Sequence, residues 1–341
     1  MSNFFLELYS EEIPHNLQIS AREQLKKLIE NTLNENEIKF GAFDVFSTPK
    51  RICVTIKDIA MEQKIEPQEV KGPRVGCNEQ ALDGFLKSRS LNINDLIQKG
   101  TDKGEFYFAN LPAKNILTTE ILEEKLPIIF KSINWKKSMR WSNHDCFWGR
   151  PLISICSLLD SQVLNFNFFH IKSSNITYVN GPFEDKEIKI KNFDEYKKIL
   201  RQNNIELDHK QRELNIRTKL EELLKRSKCS TDLSSRLVEE VVNLVENPII
   251  LKGKFNKEYL DLPDELLNLT MIHHQRYFPM KLETDNKLIN NFLFVANNFD
   301  NKNLITQGNE KVINARLSDA KFFWDKNKKQ SLVKQVTKLN S

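Results

Sequence analysis

The sequence lacks the short motifs that mark a self-sufficient catalytic centre. No G-x-x-x-x-G-K-[ST] run is present, because Gly72 and Gly76 are not followed by the Lys-Ser/Thr pair that a phosphate loop requires. No G-x-S-x-G elbow and no H-E-x-x-H helix occurs, which removes the usual signals of serine hydrolases and zinc proteases. Cysteine is scarce. Cys53, Cys77, Cys146, Cys156 and Cys229 are odd in number, scattered and never at C-x-x-C spacing. That speaks against a disulfide frame or a zinc site and for reduced cytosolic thiols. No apolar run approaches membrane-spanning length. The start, Ser2 to Leu8, has no basic n-region and acids follow at once, so a secretory signal is not expected and a cytoplasmic location is. An excess of charge of one sign is also nearly absent: 51 basic and 46 acidic residues leave a net +5. Nucleic-acid contact therefore has to rest on local patches rather than on bulk charge. There is no internal repeat and no low-complexity linker.

What is present is an ordinary mixture for 341 residues, 40% hydrophobic and 28% charged, long enough for two or three domains. The residues Phe4 to Tyr9 read as a short strand, and the apolar spacing of Leu17, Ala21, Leu25, Leu28 and Ile29 predicts a helix from about Asn16 to Leu33. Ile52, Val54 and Ile56 alternate with polar neighbours, as in a half-buried strand. Lys71-Gly72-Pro73-Arg74-Val75-Gly76 reads as a turn-rich connection. Helices over 79–88 and 118–132 and a strand over 105–111 follow, then β-rich sequence from Met139 to Phe169 and strands over 176–179 and 187–190. From Phe193 to Glu246 the pattern is helical, with caps expected at Asp194, Asp208 and Thr231 and a stop at Asn247-Pro248. Strands over 248–252, 279–282 and 291–296 precede a long terminal helix. The expected class is α+β and multidomain: a mixed α/β domain over 1–190, a helical connection over 191–247, and a second αβ region over 248–341.

Four constellations could carry chemistry. In Gly308 to Trp324, Val312, Ile313, Leu317, Ala320, Phe323 and Trp324 share one helical face, and Arg316 falls inside it. Asp319 stands at the (i, i+3) spacing of an ion pair, so Arg316 either forms a structural pair with Asp319 or is offered to a ligand. Met139 to Pro151 holds Arg140, Trp141, Trp148 and Arg150; arginine grips phosphate bidentately and indole stacks on bases, but the same residues also suit a core hairpin. His144-Asp145 within it is similar to the His-Asp pair of metal phosphohydrolases, but that chemistry needs further ligands, and His15, His170, His209, His273 and His274 make no convincing set. Met271 to Pro279, with His273, His274, Gln275 and Arg276, could grip RNA or a partner, or be a polar helix-to-strand junction. Ser47-Thr48-Pro49-Lys50-Arg51 is a basic turn best read as a solvated loop.

Many of these blocks, in this order, resemble one family. Leu6-Glu7-Leu8, Glu11-Glu12-Ile13-Pro14, Thr48-Pro49-Lys50-Arg51, Lys71-Gly72-Pro73, Met139-Arg140-Trp141, Arg150-Pro151, Leu237 to Val241, Glu246-Asn247-Pro248, Met271 to Pro279 and Gly308 to Phe323 are similar to the N-terminal half of the β subunit of bacterial heterotetrameric glycyl-tRNA synthetase. The resemblance implies an α2β2 assembly in which the α subunit activates glycine with ATP and Mg2+ and the β subunit binds tRNA(Gly). It implies no catalytic residue and no metal ligand here. It also implies a B3/B4-like tRNA-handling module in the N-terminal part, with HD-like and anticodon-binding regions further downstream. Candidate RNA or subunit contacts are Arg140, Trp141, Arg150, His274, Gln275, Arg276, Arg316 and Lys321, and in this setting an Arg316–Asp319 structural pair is favoured. Two departures stand out. The family's chains are about twice as long, and the Gly-His-Arg-Phe motif expected after Thr177 is replaced by Asn180-Gly181-Pro182-Phe183. The alternatives are an HD-type phosphohydrolase using His144 and Asp145, or a subunit-interaction protein without RNA contact.

Overall fold

A computed structural model describes residues 2–329 except 66, 90, 103, 112–113, 142–144, 181–184 and 234. The chain opens with β1 (Ser2–Ser10), α1 (His15–Glu35), β2 (Phe43–Thr48) and β3 (Arg51–Ile59). β1 is buried on both faces, so it does not alternate in polarity. Phe4, Leu6 and Leu8 face α1, whose Leu17, Ala21, Leu25, Ile29 and Leu33 repeat every four residues along its buried side. Phe5, Glu7 and Tyr9 point to the opposite face.

An insert follows: β4 (Glu62–Ile65), β5 (Gln68–Arg74), α2 (Glu79–Arg89), β6 (Leu96–Thr101), β7 (Gly104–Leu111) and β8 (Lys114–Leu117). β4 pairs with β8, and β5, β7 and β6 form a separate three-stranded antiparallel sheet. The stretch 71–74, expected as a turn, is therefore the end of a strand. Its Gly and Pro mark a bulge between Lys71 and Arg74 rather than a reversal of the chain.

Next come α3 (Thr118–Ser132), the short pair β9 (Met139–Arg140) and β10 (Phe147–Trp148), then β11 (Leu152–Leu159), β12 (Gln162–Val163), β13 (Asn167–Phe168), β14 (Ile171–Ser174), β15 (Ile176–Val179) and β16 (Lys186–Lys189). The main N-terminal sheet runs β13-β14-β11-β1-β3-β2, with β12 paired to β11. α1 and α3 cover one face. On the other, α4 (Phe193–Gln202) brings Tyr196 and Leu200 against Phe5, Cys53 and Cys156. Asn192, not Asp194, caps α4.

α5 (His209–Ser227), capped by Asp208 as expected, β17 (Cys229–Ser230) and α6 (Ser235–Val242) lead into β18 (Ile249–Lys254), α7 (Asp264–Asn268), β19 (Phe278–Leu282), β20 (Leu288–Ala296) and α8 (Leu304–Lys328). The second sheet runs β17-β19-β20-β18. α5 and α6 cover one of its faces and α7 and α8 the other. The helical stretch 191–247 is thus shared between two cores: α4 packs on the first sheet, α5 and α6 on the second. Among the described residues, no helix is long and apolar enough to cross a membrane.

Candidate functional site

The backbone departs from regular geometry after α7. The helix widens to π geometry over Leu269–His274, and Arg276 then takes φ 60°, the left-handed region that costs an L-residue about 1–2 kcal/mol. π turns and left-handed residues concentrate where side chains are aimed for a purpose. Here the turn leaves His273 and His274 exposed, Gln275 and Arg276 half-buried, and Tyr277 in the core. The Arg276 guanidinium donates to the His273 carbonyl and pairs with Glu240 on α6. Glu240 also faces Arg236 at 3.6 Å and His15 at 3.9 Å, so one nearly buried carboxylate collects side chains from α1, α6 and the π turn.

Beside this carboxylate lies a cleft of about 310 Å³, lined among others by Gln275, Arg276, Tyr277, Asn297, Asn298 and Asn309. Tyr277 donates to Asn309 Oδ1 at 2.5 Å, and burial pushes its phenol up to about 12, so it stays protonated. Asn297 Oδ1 accepts the backbone N–H groups of Glu246 at 2.8 Å and Asn247 at 2.9 Å. The cleft therefore presents a cation, amides and an aromatic wall, a set suited to recognition.

Behind it is a buried charge cluster that joins the two sheets. Arg51 is 1% exposed. Its Nε donates to Glu7 Oε1 at 3.0 Å, Nη1 pairs with Glu246, and Nη2 donates to the Tyr178 carbonyl. Thr48 Oγ1 donates to Glu246 at 2.6 Å and Tyr196 donates to Glu7 at 2.6 Å. Burial raises the Glu7 carboxyl, with Arg51 opposing it. Burial also opposes the charge on Arg51, but Glu246 and its neighbours outweigh it and hold the guanidinium well above its ordinary range. A second buried arginine, Arg212 of α5, donates to the carbonyls of Val242 at 3.1 Å, Glu206 at 2.6 Å, Leu207 at 3.0 Å and Ser47 at 2.7 Å. Burial lowers it to about 10, which still leaves it cationic near neutrality. Ser47, Thr48 and Arg51 are all buried, so the expected solvated basic loop is instead the hub between the sheets. The sequence reading failed because Arg51's partners are remote, Glu246 lying 195 residues away.

The other expected site residues are placed as follows. Arg140 is exposed and pairs with Asp145 at 2.6 Å. Trp141 is half-buried with its ring 6.3 Å from that of His170, and Arg150 donates to the Gly149 carbonyl at 3.0 Å. Trp148 belongs to the core, edge-on to Phe130 and Phe168. His144 lies outside the described residues, as do residues 181–184, where the Gly-His-Arg-Phe motif was expected. Among the described residues no three His, Cys, Asp or Glu side chains converge as a metal ion would need. Arg316 needs a correction. α8 buries Ile313 and Leu317, while Val312, Arg316, Asp319 and Phe323 face outward, and no ion pair joins Arg316 to Asp319. The apolar face is narrower than the spacing implied, because Val312 and Phe323 lie outside it, and this leaves Arg316 exposed. Lys321 pairs with Asp325 at 3.8 Å. Of the eight candidates, Gln275 and Arg276 are the two that line the cleft; Asn297 and Asn309, which also line it, and Glu240 beside it carry no sequence signal of their own.

Comparison with known proteins decides the family. The model of the glycyl-tRNA synthetase beta subunit matches residues 4–341. This chain belongs to that family. The glycine–tRNA ligase beta subunit of Rickettsia conorii is 37% identical over 327 residues, 95% of this chain and 48% of the relative. Those of Rickettsia typhi and Rickettsia bellii are 36% and 34% identical, covering 100% and 99% of this chain and 51% of each relative. The chain thus spans about half the length of the curated relatives it matches. For this glycyl-tRNA synthetase beta-subunit family member, the expected resemblance and α+β class both hold.

Proposed function

We propose that this chain is the tRNA-handling, subunit-contacting part of a glycine–tRNA ligase β subunit. The family match over residues 4–341 carries the reading, and the Arg276 cleft offers a polar surface suited to recognition. In this reading a separate α subunit uses ATP and Mg2+ to form glycyl-adenylate and transfers glycine to the 3′ end of tRNA(Gly), within a cytoplasmic α2β2 tetramer. The present chain holds the RNA. Residues 1–190 together with α4 act as a B3/B4-like module, and α5 and α6 pack with the region from residue 248 onward as a second αβ unit. Arg140, Trp141, Arg150, His274, Gln275 and Arg276 neutralise phosphate or stack.

The outer stripe of α8 has a different character. Phe322 and Phe323 are 61% and 57% exposed beside Arg316 and Lys321. Two exposed phenylalanines on one helix end favour a protein neighbour over RNA, so this stripe is assigned to subunit contact.

The test is a titration of tRNA(Gly) with and without the cognate α subunit at increasing salt. Log affinity is expected to fall linearly with log salt, by about 0.7–0.9 per phosphate neutralised. Absence of binding, or binding with no salt slope, refutes the RNA-handling role; glycylation unchanged when this chain is omitted refutes the ligase role.

A further inference from the structure

The small sheet β5-β7-β6 has one covered face and one open face. On the covered side, a Cβ added to Gly72 would meet the Phe85 ring of α2 at 2.9 Å, and Ala109 is fully buried. Directly opposed residues of an antiparallel sheet share a face. Register therefore puts Lys71 beside Phe108, with Ile97 on its other side, and Arg74 beside Phe106, with Lys99 on its other side. Phe106 and Phe108 alternate along β7 and so share that open face. The side chains agree: Lys71 Nζ lies 3.5 Å from the Phe106 centroid and Lys99 Nζ 5.6 Å from that of Phe108.

Lys71 and Arg74 are three apart, which on a regular strand would send them to opposite sides. The bulge between them returns Arg74 to the side of Lys71. Gly104, at φ 113°, clears the way: a Cβ there would stand 3.1 Å from the Arg74 guanidinium. Among the described residues, the acid on this face near the rings is Glu69, ion-paired with Lys99.

We infer that this open face is a stacking platform for unpaired RNA nucleotides. Phe106 and Phe108 receive successive bases, and Lys71, Arg74 and Lys99 neutralise the phosphates between them. Two half-exposed rings one strand repeat apart, flanked on both neighbouring strands by cations, have the charge and π surface that single-stranded RNA requires. Lys71 over Phe106 keeps a cation at the ring that a base would share. A double helix would offer its phosphates but not its base faces, so the platform takes a loop or an unpaired end. The inference rests on the RNA-handling reading and names where on the chain the unpaired part is held.

The experiment uses the whole chain, with fluorescence anisotropy of labelled tRNA(Gly), a labelled ten-nucleotide unpaired RNA and a labelled RNA duplex. Phe106→Leu/Phe108→Leu preserves apolar bulk and removes the π faces. It is expected to weaken the unpaired RNA by about tenfold or more per stacked base, leaving the duplex unchanged. Glu69→Gln frees Lys99 and is expected to tighten the unpaired RNA about two- to threefold, a gain that no loss of folding could mimic. Equal affinity of wild type and the double Leu variant for unpaired RNA, with tRNA(Gly) still bound, overturns the platform and leaves the RNA-handling reading intact. Equal losses on duplex and unpaired RNA overturn stacking. No binding of either RNA or of tRNA(Gly) by the wild type removes both readings.

Discussion

Replacing Arg51 by methionine removes the one cation between Glu7 and Glu246 while keeping most of the side-chain volume. Both carboxylates are buried, at 0% and 3% exposure, and neither has another cation within 4.0 Å among the described residues. Removing one partner of a buried ion pair costs about 3–5 kcal/mol, because the remaining charge stays desolvated. Against a total stability of about 5–15 kcal/mol, that is about a fifth or more of what holds the fold. With a urea slope of about 2–3 kcal/mol/M, the midpoint at pH 7 is expected to drop by about 1–2 M. The pH dependence gives the sharper test. Burial already raises Glu7 in the wild type, and deleting Arg51 removes the charge that opposes that rise. A carboxyl raised on folding stabilises below its unfolded value and loses that stability as pH rises through the folded one. The deficit of the variant relative to wild type should therefore shrink between pH 7 and pH 5. Neutralising the stranded acids as well, in Arg51→Met/Glu7→Gln/Glu246→Gln, should recover at least half of the loss. A midpoint drop under about 0.3 M at pH 7, or a triple variant no more stable than the single one, would refute the argument that this cluster ties the two sheets together.

Other outcomes follow from the same geometry. Burial, and then Arg22 and Arg212, lower His209 to about 4. It folds neutral, so its contribution is complete above about pH 6.5 and is lost as pH falls toward 4. After discounting for its partial exposure this is worth about 1–2 kcal/mol, and His209→Gln should flatten that part of a stability-versus-pH curve measured by urea melts. Gly253→Ala places a Cβ 2.5 Å from the fully buried Phe292 ring, which is stacked on Tyr277, and should cost about 1–3 kcal/mol, read as a Tm lowered by several degrees. Arg276→Gln should leave the melting curve nearly unchanged but weaken tRNA(Gly) binding and reduce its salt slope by about 0.7–0.9; an unchanged slope would confine Arg276 to its pair with Glu240.

Elements whose pattern is local were legible from the residues alone. The four-residue repeat of α1, the span of α3, the Asp208 cap and the strands β18, β19 and β20 follow from spacing, caps and breakers within one segment, whereas β17 lies in a stretch whose pattern reads as helix. What stayed hidden depends on distant chain. β1 is central, so its two buried faces erase the alternation that would mark Glu7 as facing inward. The Gly72-Pro73 dipeptide signals a reversal in most contexts, but here the neighbouring strand β7 turns it into a bulge. Arg51 sits in a basic run, and nothing nearby announces the carboxylates that receive it. Arg316 was misplaced because Val312 and Phe323, apolar by type, lie on the outside of α8, and a hydrophobic count cannot tell an outward face reserved for contact from an inward one. Of the candidate site, the turn from Met271 to Pro279 was visible as an unusual cluster, whereas Glu240 and Asn297 are ordinary residues made special by position.

Asn297 serves two neighbourhoods at once. It lines the cleft, and its side-chain oxygen clasps the backbone N–H groups of Glu246 and Asn247, immediately before Pro248. Glu246 then grips Arg51, which grips Glu7 at the middle of the first sheet. These links are in series. A pull exerted on the cleft wall is therefore transmitted down a short chain of stiff connections into the strand at the centre of the other sheet, much as a tendon runs from a fingertip to the forearm.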